Sequence, residues 1–458
     1  MRMSSRSAES SPRSSNARPL LIGVVLVLAL TLALSACSGA EQESADEAAQ
    51  SSGEPVKVGA SLPLTGPFAI PGSNHQKGYE LCEQVVNERG GLLGRQMQLN
   101  VNDNRSDTET VVNQTERFID VDNVDLLFGT FSTLLSFPSS AIAERNRMVY
   151  PEPSDSALTS HSRGFQYNFG FTLKPIDFIG QTPVDAIADL VESGDIDPAD
   201  APKTAAIVYQ DDFFPNSITQ GLIGGTQSIP GSDEEVDFGE GYLKEAGLEV
   251  VFRKQFPADF NAWNSLANQI ERSGADYLFA LTVPPTEVEL VKALNTVDFK
   301  PKGAFFSQGT YPEFKESLGD AVDGIIVWST WSGNAQWEGE INGEPYTNQD
   351  FIRDYEARFD EAPDEDMAQA FTVCQAMANA VHHTQTLDNT KLRDWLADRT
   401  TDDPVSTIQG GYQFDDRGLT EDRDVLLLQW QDGELNQVFP SGEEFPEAAS
   451  INWPIRNW

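Results

Sequence analysis

From Val56 onward the chain alternates short apolar runs with amphipathic stretches, and this alternation restricts the fold more than any single motif does. Residues 56–60 alternate like a strand and run into the turn cluster Leu62-Pro63-Leu64-Thr65-Gly66-Pro67. The spacing of Tyr79, Leu81, Cys82, Val85 and Val86 predicts a helix over 74–88. Strands are expected at 97–101 and 124–128, and between them Asp107 or Thr108 caps a helix that runs to Phe118. Further strands fit 204–209, 249–252, 277–281, 303–306 and 324–328, with helical patterns between most of them. A β-α-β-α-β order places parallel sheets between layers of helices. The length of 458 residues accommodates two such sheets.

The start of the chain has a different character. Residues 1–19 carry Arg2, Arg6, Arg13 and Arg18 against Glu9 alone, and residues 20–36 are free of charge and mostly apolar. This order of a positive and then an apolar region is that of an export signal. An uncleaved membrane anchor is the alternative, although the apolar run is short against the ~20 residues a span needs. The run ends in Leu34-Ser35-Ala36-Cys37, which resembles the lipobox of bacterial lipoproteins and makes Cys37 the expected lipidation site. Cleavage would remove 1–36 and take the formal charge from −40 to −43. Residues 37–54 hold almost nothing that could form a core and are expected to be a disordered tether. With Cys37 lipidated, Cys82 and Cys374 are left in an oxidising compartment, either as a disulfide or as two buried thiols.

Acidity narrows the partners. Asp and Glu number 71 against 31 Lys and Arg, whereas 39% hydrophobic residues are ordinary for a folded chain. No basic face exists to neutralise phosphates, so nucleic acid is excluded as a partner, and anionic lipid headgroups would repel the surface. Segment 228–243 looks like an insertion. Its Asp233, Glu234, Glu235, Asp237 and Glu240 match no EF-hand spacing and are expected to form a solvated loop.

In open α/β sheets, ligands bind beyond the carboxyl ends of the strands. Two segments carry suitable chemistry there. Phe128-Gly129-Thr130-Phe131-Ser132-Thr133 leads from a strand into a helix whose free N–H groups and hydroxyls suit a carboxylate, although such hydroxyls also serve as ordinary caps. Tyr150-Pro151-Glu152-Pro153-Ser154 is the second, and a plain turn is its alternative.

The run Val58-Gly59 through Leu64-Thr65-Gly66-Pro67, followed by Asn87-Glu88-Arg89-Gly90-Gly91-Leu92-Leu93-Gly94-Arg95, resembles the opening of the branched-chain amino acid (Leu/Ile/Val) binding proteins. These are type I periplasmic substrate-binding proteins of ABC importers. The likeness continues through Asp259-Phe260-Asn261 and Gly319-Asp320-Ala321-Val322-Asp323-Gly324 to Tyr412-Gln413-Phe414-Asp415-Asp416-Arg417-Gly418. It implies two Rossmann-like lobes closing like a flytrap, joined by three hinge crossings. The first lobe would comprise 55–172 plus 330–422, the second 173–329 plus 423–458. Cys82 and Cys374 then fall on helices of one lobe, which favours a disulfide.

Carried across by residue, the family's carboxylate-binding hydroxyls match Thr133 and Ser154, with Ser132 beside them. Phe214 matches a second-lobe aromatic that packs on the ligand, and Phe131 would help select an apolar tail. The acid that holds the ligand ammonium in the family aligns with Gln308, so either the ligand lacks a cationic amine or another acid such as Glu152 replaces it. A first-lobe aromatic aligns with Pro71, and the strand end at Leu281-Thr282-Val283-Pro284, with Thr282 at the ligand, is less aromatic than in amino acid binders. Trp328 and Trp331 flank a predicted crossing, where they would wall the cleft or brace the hinge.

Catalytic signatures are missing from the sequence: it has no Gly-x-Ser-x-Gly, His-Glu-x-x-His, P-loop or Cys-x-x-Cys, and His75, His161, His382 and His383 stand apart from any nucleophile motif. The expected function is therefore that of a monomeric, lipid-anchored solute receptor at the outer face of the bacterial cytoplasmic membrane. It would bind an amino acid-like, carboxylate or amide solute without cofactor or metal and serve a permease and ATPase subunits. A sensory receptor of the same fold is the alternative, and an exported hydrolase a distant third.

Overall fold

The structure is a computed structural model that describes residues 53–420 and 423–455. The expected signal at 1–36, the lipidation site Cys37 and nearly all of the 37–54 tether lie outside the described residues. Among the described residues no helix is long and apolar enough to cross a membrane.

Two sheets organise the chain. In the first, strand Val56–Leu62 lies between Met97–Asp103 and Leu126–Phe128, and both pairings are parallel. All its residues but Lys57 are buried, as in a strand covered on both faces. A short parallel pair, Tyr150–Glu152 with Asn168–Gly170, stands beside it, linked where Gly129 N–H donates to the Pro151 carbonyl at 3.1 Å. In the second sheet Glu249–Phe256, Thr204–Gln210, Tyr277–Leu281, Gly303–Phe306 and Ile326–Ser329 run parallel in that spatial order. An antiparallel hairpin, Leu426–Gln431 with Glu434–Phe439, completes it, pairing onto Ile326–Ser329. The second sheet is thus mixed where a parallel one was expected: Asp432 at φ 52° and Gly433 at φ 84° make a tight two-residue turn, which can only join antiparallel neighbours.

Most element boundaries fall within a few residues of the sequence reading. The first helix starts earlier, at Ala69–Glu88, because Pro71 and Gly72 sit in its first turn, where their poor propensity costs little. The strand expected from 324 begins at Ile326 because Gly324 takes φ 90°, outside the strand region. Segment 228–243 includes part of a hairpin, Thr226–Ser228 with Glu235–Asp237, and its five acids are exposed.

The Asn87–Arg95 run has a clear mechanical role. Gly90 and Gly91 take φ 94° and 73°, and a Cβ on Gly91 would lie 2.0 Å from the Arg95 carbonyl oxygen. Asn87 then latches the helix end to the next strand, its amide donating to the Met97 carbonyl at 2.9 Å and its Oδ1 accepting from Met97 N–H at 2.7 Å.

Helix Ala69–Glu88 crosses Glu365–Thr384 at Gly78, where a Cβ would stand 2.2 Å from the Met367 carbonyl oxygen. One turn further on, Cys82 is disulfide-bonded to Cys374, with Cα atoms 6.2 Å apart. Gly78→Ala is expected to force these helices apart at a cost of about 1–3 kcal/mol. The check is a lower denaturant midpoint at unchanged m-value.

Candidate functional site

Loops at the carboxyl ends of strands from both sheets enclose a cavity of about 60 Å³. From the first sheet come Phe68, the Phe131–Thr133 corner and Ser154, each following a strand end. From the second come Asp212 and Phe214 after Thr204–Gln210, Val283 and Pro284 after Tyr277–Leu281, and Ser307, Gln308 and Tyr311 after Gly303–Phe306. The third wall is the start of helix Glu365–Thr384, through Glu365, Asp366 and Gln369.

The hydroxyl corner is built on a strained residue. Ser132 holds φ 80° immediately before helix Thr133–Arg145, a region that favours glycine. Its N–H donates to Ser154 Oγ at 3.0 Å, and Ser154 Oγ donates to the Thr130 carbonyl at 3.3 Å. Ser154 therefore pins the corner, while the side-chain oxygens of Ser132 and Thr133 are buried without a protein partner. Tyr311 presents a third such hydroxyl. Thr133 is 1% exposed and Tyr311 8%. Buried hydroxyls without protein partners on a cavity wall are the groups that the polar head of a solute satisfies.

Aromatic rings form much of the remaining wall. Phe131 packs edge-on against Phe68 at 5.8 Å between centroids, and Phe214 lies 6.2 Å from Trp328. The Trp328 indole N–H donates to the Ser307 carbonyl at 2.9 Å, which fixes its ring at the cavity. Trp331 does not reach the cavity: its indole donates to Asn348 Oδ1 at 2.7 Å and its ring packs on Phe351.

The structure thus gathers Phe131, Ser132, Thr133, Ser154, Phe214 and Gln308 around one cavity, with Pro71 beside them. It does not bring Glu152 or Thr282 to the wall. Glu152 is fully buried beside Asp155, and burial, reinforced by that neighbour, raises its carboxyl well above the ordinary range. Glu152 is thus held inside the protein, away from the cavity that Gln308 lines. Thr282 is likewise fully buried, its N–H donating to Ser307 Oγ at 2.8 Å.

Sequence reasoning missed three carboxyl groups on the wall. Asp212 caps helix Phe213–Ile223, accepting from Phe214 N–H at 3.3 Å, and burial raises its carboxyl. Glu365 accepts from Gln369 Nε2 at 3.2 Å and is pushed up to about 8, chiefly by burial. Asp366 is raised well above the ordinary carboxylate range, by burial first and then by Asp364 and Glu365. The strand-end rule, applied to 204–210, could have found Asp212, but nothing local distinguishes Glu365 and Asp366 in a chain with 71 acids.

Comparison with known proteins places this geometry. Leu/Ile/Val-binding protein homolog 7 of Brucella suis biovar 1 (strain 1330) is 22% identical over 402 residues, spanning 86% of this chain and 93% of its own. Homolog 8 of Brucella abortus (strain 2308) is 24% identical over 390 residues, 84% of this chain and 90% of its own. Among solved structures, the branched-chain amino acid transporter substrate-binding protein LivJ from Streptococcus pneumoniae, in complex with isoleucine, is similar with a TM-score of 0.67 at 18% identity, covering 87% of this chain and 100% of that one. A solute-binding protein of an R. palustris ABC transporter, in complex with benzoate, gives 0.66 at 17% identity, with coverage of 84% and 95%. The sequence pattern of the periplasmic binding proteins matches residues 55–434, and the chain belongs to that family.

Proposed function

We propose that this protein is the extracytoplasmic solute receptor of an ABC importer. Lipidated Cys37 tethers it to the outer face of the cytoplasmic membrane, and it acts as a monomer without catalysis. Its lobes, 55–172 plus 330–422 and 173–329 plus 423–458, close on a small amino acid-like, carboxylate or amide solute. The closed form is then delivered to permease and ATPase subunits. Closure follows from differential contact, because only the closed form offers the solute groups from both sides.

One observation carries this reading: a single cavity collects strand-end loops from both sheets and buried hydroxyls without protein partners at Thr133 and Tyr311. The bound isoleucine of LivJ and the benzoate of the R. palustris protein support a small carboxylate-bearing solute. The oxygen of Thr133, at the start of helix Thr133–Arg145, suits the carboxylate end.

Native mass spectrometry of the purified protein is expected to find a co-purified solute. Thr133→Ala removes a direct hydrogen bond and is expected to weaken its binding about tenfold. Ser154→Ala frees the Ser132 corner and weakens it as well. Unchanged calorimetric affinity in both variants would sink the site assignment, and normal uptake of that solute in a deletion strain would exclude the importer role.

A further inference from the structure

We propose that the solute carries a cationic nitrogen, and that Asp212, Glu365 and Asp366 receive it. This rests on the cavity being the solute site. Three carboxyl side chains line that cavity, and no Lys, Arg or His does. They approach from separate elements: Asp212 follows a strand of the second sheet, whereas Glu365 and Asp366 open the long helix packed on the first. An anionic solute without a counter-charge would face three acids, whereas an ammonium meets opposite charge.

The rest of the wall suits the same class of ligand. Phe68, Phe131, Phe214, Tyr311 and Trp328 line the cavity, and aromatic faces attract ammonium groups, alkylated ones included. The Thr133 and Tyr311 hydroxyls, buried and without protein partners, are independent signs that this wall is built to hold a polar solute. Helix capping does not account for the acids of the long helix, because Asp364 already caps it, accepting from Met367 N–H at 3.3 Å. A cation held by Glu365 and Asp366 on this helix would take over the role that Gln308, being neutral, cannot fill.

Asp364 adjoins Glu365 and Asp366 and is itself influenced by Glu313 and Lys77, while Asp211 adjoins Asp212. His75, packed edge-on against Phe131, is held neutral by burial, its pKa lowered to about 4. Because burial favours the protonated carboxyls, a cation must displace protons to bind. Affinity for a quaternary ammonium is therefore expected to rise between about pH 6 and 9, as the carboxyl at Glu365, near 8, ionises.

The test uses matched pairs that differ at the nitrogen: leucine against 4-methylpentanoate, and glycine betaine against 3,3-dimethylbutanoate. In calorimetry and thermal shift, the ammonium member of at least one pair is expected to bind saturably, and its nitrogen-free partner one to two decades more weakly. Glu365→Gln, Asp366→Asn and Asp212→Asn are expected to erode that preference toward parity. The unliganded melting temperature of each variant identifies any that fails to fold, and the preference is read in those that do. Equal or tighter binding of a nitrogen-free acid, or a preference unchanged in the folded variants, overturns the inference. If that acid is also weakened by Thr133→Ala, the receptor reading survives while this one falls. Binding by no member of either pair overturns the inference too, and a co-purified solute in native mass spectrometry then decides the receptor reading separately.

Discussion

Replacing Cys82 and Cys374 together by alanine is expected to destabilise the protein by about 6 kcal/mol, by the chain-entropy relation for a long closed loop. The bridge joins residues 292 positions apart in sequence, so its loss releases most of the folded chain in the unfolded state. Both sulfurs are buried, 0% and 1% exposed by residue, so alanine also leaves small cavities that add to the loss. At ~2.1 cal/mol/K per residue over roughly 400 residues, the melting temperature should fall by about 7 °C. Binding should suffer too. The bridge sits at the crossing of Ala69–Glu88 with Glu365–Thr384, and the second helix carries Glu365 and Asp366 to the cavity at its start. Loosening that crossing lets the carboxyl wall drift from the hydroxyl corner, so affinity is expected to drop even where the variant remains folded. Thermal unfolding with and without a reducing agent checks the point, and an unchanged transition in the double variant would refute it.

Much of the architecture was legible because the physics behind it is local. Residues 277–281 and 303–306 are continuous apolar runs bounded by turn residues, and they form strands over the expected spans. Asp107 acts as the N-cap of Thr108–Asp120, accepting from Thr110 N–H at 2.7 Å. The terminal hairpin was less legible, since its pairing onto Ile326–Ser329 depends on contacts about a hundred residues away in sequence. Part of the site was readable for the same local reason: Phe131, Ser132, Thr133 and Ser154 sit where strand ends meet helix starts. Glu152 shows the limit of that rule. It ends a three-residue strand whose residues are all buried and does not line the cavity, whereas Ser154, in the turn beyond the strand end, does. Glu365 and Asp366 are brought to the cavity only by the packing of two helices far apart in sequence, a fact that no window of sequence contains.

Glu287→Gln is expected to stabilise the protein progressively as pH rises from about 5 to 8. Glu287 is fully buried in the first turn of Thr286–Leu294, and neither carboxyl oxygen finds a hydrogen-bonding partner on another residue. Burial pushes its carboxyl up to about 8. In the unfolded chain a glutamate titrates near ~4.3, so across the interval the native state holds a proton that the unfolded state has lost. Stability from this group is therefore complete below about pH 4.3 and falls as pH rises through the folded value, by about 4–5 kcal/mol at pH 8. Asp177, also fully buried and raised to about 7, slopes in the same direction. The glutamine variant stays neutral throughout, so its urea midpoint should match that of the wild type near pH 4 and exceed it increasingly up to pH 8. Parallel pH profiles for the two proteins would defeat the argument. The same experiment separates structural from ligand-facing acids. Glu365 shares the raised carboxyl but lines the cavity, where a cationic solute can stabilise its ionised form, whereas Glu287 does not reach that wall. Saturating ammonium solute should therefore remove the slope due to Glu365 and leave the slope due to Glu287 intact. Glu287→Gln should then reduce the slope that remains, leaving the part due to Asp177.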